Sequence, residues 1–147
     1  MKRKLLFAIA ALLCSVGSWA QTWYDITSQY LTNAAVADAS GWTAEKGDVI
    51  IANDANWTGR PEDVCLNHGW NTGETNFYQT VWLPKGSYRL TVMTRGHASV
   101  NSNIYAYDVS AENNLALTDI AKNGAEGENN GWVEKSIEFT LTEAKNV

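Results

Sequence analysis

Ser87-Tyr88-Arg89-Leu90-Thr91-Val92-Met93-Thr94-Arg95 changes character at every residue: Tyr88, Leu90, Val92 and Thr94 fall on one side, Arg89, Thr91, Met93 and Arg95 on the other. A period of two is the repeat of a β-strand, whose successive side chains point to opposite faces. The even positions are expected against a core and the odd ones toward solvent or a ligand. Upstream, Phe77-Tyr78-Gln79-Thr80-Val81-Trp82-Leu83 reaches this strand across Pro84-Lys85-Gly86. Three residues ending in glycine suit a tight hairpin connection, because glycine takes the left-handed conformation at little cost. Such a turn would set the register of the pair.

The same pattern recurs downstream. Residues 103–109 place Tyr105, Tyr107 and Val109 on one side, residues 115–117 suit a short strand, and residues 132–141 place Val133, Ile137, Phe139 and Leu141 opposite Glu134, Ser136, Glu138 and Thr140. Half-buried strands account for these patterns. Between the last two, residues 122–131 are glycine, asparagine and glutamate with hardly any apolar content, a solvated loop. Toward the N-terminus, Trp42-Thr43-Ala44 and Val49-Ile50-Ile51 are short apolar runs beside turns, and the one candidate helix, residues 28–37 with Ser28 as cap, is marginal in length. Several antiparallel strands with closely spaced turns hide their apolar faces by forming two facing sheets, so the expected class is all-β, an antiparallel two-sheet sandwich.

The chain has 147 residues and a net charge of −5. Lys2, Arg3 and Lys4, the apolar run from Leu5 to Leu13, and Ser18-Trp19-Ala20 with small residues at the peptidase positions read as a secretory signal peptide over residues 1–20. The apolar run is shorter than the roughly 20 residues of a transmembrane helix. Cys14 closes the run and raises a lipid anchor as the alternative, but Ala11-Leu12-Leu13 lacks the small residue expected directly before it. Residues 21–147 then form one domain, destined for the periplasm, the cell surface or the medium. The leader takes three basic groups with it, leaving eight against sixteen acidic ones. That balance argues against nucleic acid or an anionic membrane as partner. Cys65 is then the single cysteine, so no disulfide forms within the domain, and its neighbours Val64 and Leu66 suggest a buried small hydrophobe rather than a nucleophile.

Catalytic patterns are sparse. His68, His97 and Cys65 match no common metal spacing, and phosphate-binding glycine loops and the Gly-x-Ser-x-Gly elbow are missing from the sequence. Nothing marks one carboxylate pair among sixteen acidic residues for glycoside hydrolysis, and no enzyme is expected. No cofactor is expected either; Asp25, Asn33, Asp38 and Asp48 could lend oxygens to a structural calcium, yet form no recognised loop motif. The aromatic residues are more telling. Trp57, Trp70 and Trp132 lie in polar, glycine-containing settings, with Asn56, Arg60, His68 and Asn71 close by. An indole face packs on the C–H face of a sugar ring while adjacent polar groups bond its hydroxyls. The alternative for each is a plug at an open end of the sandwich. Arg95 and His97 end the outward-facing series of the best strand, which aims them at a rim, although an ion pair would also explain Arg95.

The chain resembles the galactose-binding-like jelly-roll domains of secreted, often surface-associated Bacteroidetes proteins. The resemblance is carried by Trp23-Tyr24-Asp25-Ile26-Thr27 with Leu31 and Asn33, by Gly41-Trp42, by Asn76 to Val81 running through Leu83-Pro84-Lys85-Gly86-Ser87-Tyr88-Arg89-Leu90, and by Gly131-Trp132 with Ile137-Glu138-Phe139-Thr140-Leu141-Thr142-Glu143-Ala144. It implies a jelly roll that accompanies glycan-processing catalytic domains and binds through loops at one end or through a sheet face. Such domains carry another strand after the segment that ends here at Ala144, so the expectation is a fragment of a longer protein, or else a fold without that edge strand. The expected function is a noncatalytic carbohydrate-binding accessory domain with Trp57, Arg60, Trp70, Arg95, His97 and Trp132 as ligand residues and a glycan, or a neighbouring domain, as partner. A structural or adhesion domain is the second expectation and a glycoside hydrolase the third.

Overall fold

The computed structural model of the chain describes residues 21–46, 50–52, 65–67, 73–96, 101–120 and 132–147. The alternation quoted above becomes strand β6 (Gly86–Thr94), in which the even positions are buried or half-buried and the odd ones exposed. Its partner is β9 (Val133–Leu141), antiparallel and matched residue for residue from Gly86 opposite Leu141 to Thr94 opposite Val133. In β9, Ile137 and Leu141 are buried, Phe139 is half-buried, and Glu134, Ser136, Glu138 and Thr140 are exposed. Only Val133, at the end of the ladder, departs from the expected inward series and is exposed. Tyr88 and Phe139 face each other on the inner side with ring centroids 5.5 Å apart, an offset-stacked pair.

Pro84-Lys85-Gly86 does not close a hairpin, contrary to expectation. β5 (Trp82–Leu83) pairs with β10 (Lys145–Asn146), and β4 (Asn76–Tyr78) with β1 (Thr43–Lys46), so the chain changes ladder between Leu83 and Gly86. Two causes are visible. The Tyr88 hydroxyl donates to the Pro84 carbonyl at 2.6 Å, giving that oxygen a partner outside any ladder. β9 meanwhile offers nine consecutive residues of matching alternation, whereas the segment before Pro84 contributes a two-residue strand.

β7 (Asn103–Asp108) and β8 (Asn113–Asp119) form a hairpin with a register shift between Ala106 and Tyr107, and Glu112 turns the chain at φ 51°. Here the expected faces are reversed. Ala106 and Asp108 are buried, while Tyr107 and Val109 are exposed. The even face goes inward because Asp108 finds a full set of partners there: Lys145 Nζ at 2.8 Å on Oδ2, and Ser110 N–H, Ser110 Oγ and Ala111 N–H at 2.9, 2.7 and 3.0 Å on Oδ1. A carboxylate so supplied can be buried at little cost. Tyr105 on the odd face is half-buried, its hydroxyl donating to Asn76 Oδ1 at 2.5 Å, and the Asn76 amide donates in turn to Glu45 at 2.7 Å. That relay ties β7 to the β1–β4 ladder.

The last residues are integral to the sheet. Val81 and Val147 exchange both backbone hydrogen bonds (2.8 and 2.9 Å), and Val109 N–H donates to the Asn146 carbonyl at 3.3 Å. Residues 145–147 thus run between β5 and the end of β7. A further ladder joins β2 (Ile50–Ala52) to β3 (Cys65–Asn67). Cys65 is half-buried and forms no disulfide, and burial pushes its thiol pKa up, which leaves little thiolate to react. Among the described residues every ladder is antiparallel; the architecture is an all-β sandwich without barrel closure. β7 and β8 both approach β9, so the core of Leu83, Ala106, Ile137 and Leu141 lies on the inner side of the β6–β9 ribbon.

The one helical turn among the described residues, α1 (Thr27–Tyr30), stops well short of Ala37. Leu31 is already extended, and Thr32 makes a ladder-like pair with the Gln79 side chain, its N–H donating to Oε1 at 3.0 Å and its carbonyl accepting from Nε2 at 2.7 Å. Asn33 and Val36 then take positive φ, 50° and 58°, which no helix allows. Gly41 completes the loop at φ 80°, where a Cβ would stand 2.8 Å from that of Thr32. Gly41→Ala is therefore expected to cost about 1–2 kcal/mol, read from urea unfolding; an unchanged midpoint would show that the loop relaxes freely.

Candidate functional site

The outer face of the β6–β9 ribbon is built of cross-strand pairs. Ser87 Oγ and Thr140 Oγ1 lie 3.1 Å apart, Arg89 is bonded through Nε and a terminal nitrogen to Glu138 Oε1 at 2.8 and 2.5 Å, and the Thr91 and Ser136 hydroxyls are 2.8 Å apart. Met93 and Glu134 form the next rung. Above the first of these charges lies Trp23, its ring centroid 4.4 Å from the Arg89 guanidinium carbon. A cation over an indole face is attracted by the ring quadrupole. Both members of the Arg89–Glu138 pair remain well exposed, so the pair contributes at most about 1 kcal/mol to stability. Its geometric effect is larger, because it fixes the guanidinium plane on which Trp23 rests.

Of the six residues expected from sequence, the structure describes two. Arg95 follows Thr94 and Trp132 precedes Val133, and Thr94 and Val133 are the last paired rung. Arg95 and Trp132 are therefore the residues next to the last rung at one end of the same ribbon, and both are half-buried. Thr94 closes that end, buried, with its hydroxyl donating to the Val133 carbonyl at 3.2 Å. Trp57, Arg60, Trp70 and His97 lie outside the described residues, as do the expected leader, Asp48 and the 122–131 loop. Sequence reading missed Trp23, Arg89 and Glu138. The outward parity of Arg89 and of Glu138 was visible, but their meeting depends on the β6–β9 register, which local pattern does not supply.

The oxygens considered for calcium have other partners. Asn33 Nδ2 donates to the Asp38 carbonyl (2.7 Å), to Asp38 Oδ1 (2.9 Å) and to the Ser40 carbonyl (3.3 Å), while its Oδ1 accepts from Ala37 N–H at 2.9 Å. Asp25 Oδ1 accepts from Thr27 N–H at 2.9 Å. Hydrogen bonds hold both carboxyl pKa values below the ordinary range: those from Thr27 do so for Asp25, and those from Ser40, whose N–H donates to Asp38 Oδ1 at 2.8 Å, for Asp38. No cluster of three or more His, Cys, Asp or Glu suited to a metal occurs among the described residues.

No family model, curated protein or solved structure matches the chain. Within the stretch Asn76 to Leu90 that helps carry the resemblance, Gln79, Leu83, Pro84, Gly86 and Tyr88 have folding roles. Gln79 clasps Thr32, Leu83 is buried in the core, Pro84 accepts from Tyr88, and the Tyr88 ring lies against Gly86. None of these contacts leads to a ligand.

Proposed function

We propose that the protein is a noncatalytic carbohydrate-binding accessory domain, exported by the leader at residues 1–20 to the periplasm or cell surface. The observation that carries this reading is the placement of Trp132 and Arg95 at one end of a polar, exposed sheet face. An indole platform beside a guanidinium supplies the stacking surface and the fixed donors that sugar recognition needs. Among the described residues no helix is long and apolar enough to cross a membrane. Isothermal titration against host and plant glycans tests the reading. Trp132→Ala is expected to weaken binding about tenfold with the circular dichroism spectrum unchanged. A folded protein that binds no glycan would refute it.

A second reading has its own observation. Trp82 (57% exposed), Leu117 (52%), Val109 (45%) and Tyr107 (37%) are large apolar side chains left to solvent on the β5 and β7–β8 ladders. Exposed apolar surface of this kind also suits contact with a neighbouring domain or protein. Loss of that contact on Trp82→Ser, with glycan binding intact, would assign the two surfaces separate roles.

A further inference from the structure

We infer that the outer face of β6 and β9 takes an extended, uncharged oligosaccharide lying along the strands, rather than a single terminal sugar. This rests on the carbohydrate-binding reading and specifies its ligand. Two aromatic stations belong to this ribbon: Trp23 at the Arg89–Glu138 rung and Trp132 beside the Thr94–Val133 rung that ends it. Six residues separate Arg89 from Arg95 along the chain, which at strand spacing puts the stations about 20 Å apart, roughly the length of four linked pyranose rings. A ligand of one or two sugars reaches one station only.

The surface between the stations sets the chemistry. Its middle rung is the Thr91–Ser136 hydroxyl pair, and a hydroxyl that spends one bond on its neighbour retains further donor or acceptor capacity for a ligand. The face carries two arginines, Arg89 and Arg95, against two glutamates, Glu134 and Glu138, so it is formally neutral while the whole chain is at −5. Charge matching therefore favours an uncharged chain over uronate, sialic acid or sulfated polymers, to which a neutral face on a net-negative chain offers no net attraction. The cross-strand bonds already fix the side chains of the Arg89 and Thr91 rungs, so little rotamer freedom is lost when a ligand docks.

The full chain is titrated calorimetrically with neutral gluco-, xylo- and manno-oligosaccharides of one to six units and with oligogalacturonates of the same lengths. Affinity is expected to rise at least tenfold from the disaccharide to the tetrasaccharide of the recognised series and to level off beyond it. Trp23→Ala is expected to remove that gain, so that the tetrasaccharide binds no more tightly than the disaccharide, and Trp23→Phe, which keeps a platform, to recover part of it; Trp132→Ala weakens binding at every length. Equal affinity for the disaccharide and the hexasaccharide, or a Trp23→Ala variant that binds every length like the parent, overturns the extended ligand while leaving sugar binding in place. Preference for acidic over neutral oligomers of equal length overturns the charge argument. Failure to bind any of the series overturns this inference and counts against the function on which it rests.

Discussion

Leu141→Ala is expected to lower the unfolding free energy by about 3 kcal/mol and the melting temperature by roughly 10 °C. Leu141 is 2% exposed, the most completely buried large side chain among the described residues, and it lies opposite Gly86 at the end of the β6–β9 ladder. Glycine has no side chain with which to fill the space that truncation opens. Its Cβ position already looks onto the Tyr88 ring, 3.4 Å from the hydroxyl, and that ring is held by Pro84 and Phe139. Collapse of the cavity is therefore resisted on two sides, which puts the cost in the middle of the range for buried leucines rather than at its foot. Leu117→Ala is the control. With Leu117 52% exposed, it is expected to change stability by less than about 0.5 kcal/mol. Urea melts of the two variants settle the matter, and equal midpoints would mean that the core lies elsewhere.

The sequence discloses strands where burial is one-sided, and much less where burial follows partners. β6 and β9 show this directly. Each buries apolar residues on one face and exposes polar ones on the other, so a period of two is enough to locate both strands and to assign their faces. In β7 the same rule pointed the wrong way. Tyr107 and Val109 are apolar enough to be read as core, yet Asp108 goes inside because residue 145, far along the chain, brings an ammonium group to it. Pairing was equally hidden. A glycine turn before β6 suggests its neighbour in sequence as its neighbour in the sheet, but the better-matched partner starts at Val133. Local patterns carry face and period; register and pairing are set by competition among distant segments.

The site divides along the same line. Arg95 could be singled out because it ends the outward-facing series of its strand and Trp132 because of its polar, glycine-containing setting, and the rung Thr94–Val133 brings them to one end. Arg89 had the same parity and was read only as an exposed strand residue. Its stacking on Trp23 and bonding to Glu138 need three segments that only the fold assembles. Gln79, in one of the stretches on which the resemblance was read, has a structural role, its side chain acting as a substitute backbone for Thr32. A motif of this kind can be diagnostic of a fold and silent on a ligand.

Asp108→Asn is expected to lower the melting temperature at neutral pH by an amount comparable with Leu141→Ala, and to remove the share of the acid sensitivity below about pH 4 that Asp108 supplies. Asp108 is 3% exposed, and the Lys145 side chain beside it is itself largely buried. The Lys145 ammonium, then the Ser110 hydroxyl and the Ala111 N–H, hold the Asp108 carboxyl far below its ordinary range, and Asp108 in turn raises the Lys145 pKa. An unfolded aspartate titrates near 4 and an unfolded lysine near 10.4. A carboxyl depressed on folding gives stability that is complete above its unfolded value and is lost as pH falls below about 4. A lysine raised on folding gives stability that is complete below about 10.4 and is lost as pH climbs past it. The pair's contribution is thus level across the neutral range and fails at both ends. Asparagine keeps the size of the side chain and some of its acceptor capacity but leaves the largely buried Lys145 ammonium with only the longer 3.6 Å contact to exposed Glu143, and a buried charge deprived of its main partner is more damaging than the loss of both. The double variant Asp108→Asn with Lys145→Met is accordingly expected to recover part of the loss. Backbone amides of Val81 and Val147 report the same event, since they hold residues 145–147 in the sheet and should exchange faster when the ion pair goes. Melts from pH 2 to 8 that stay parallel for parent and Asp108→Asn would show that Lys145 gains nothing from the carboxylate.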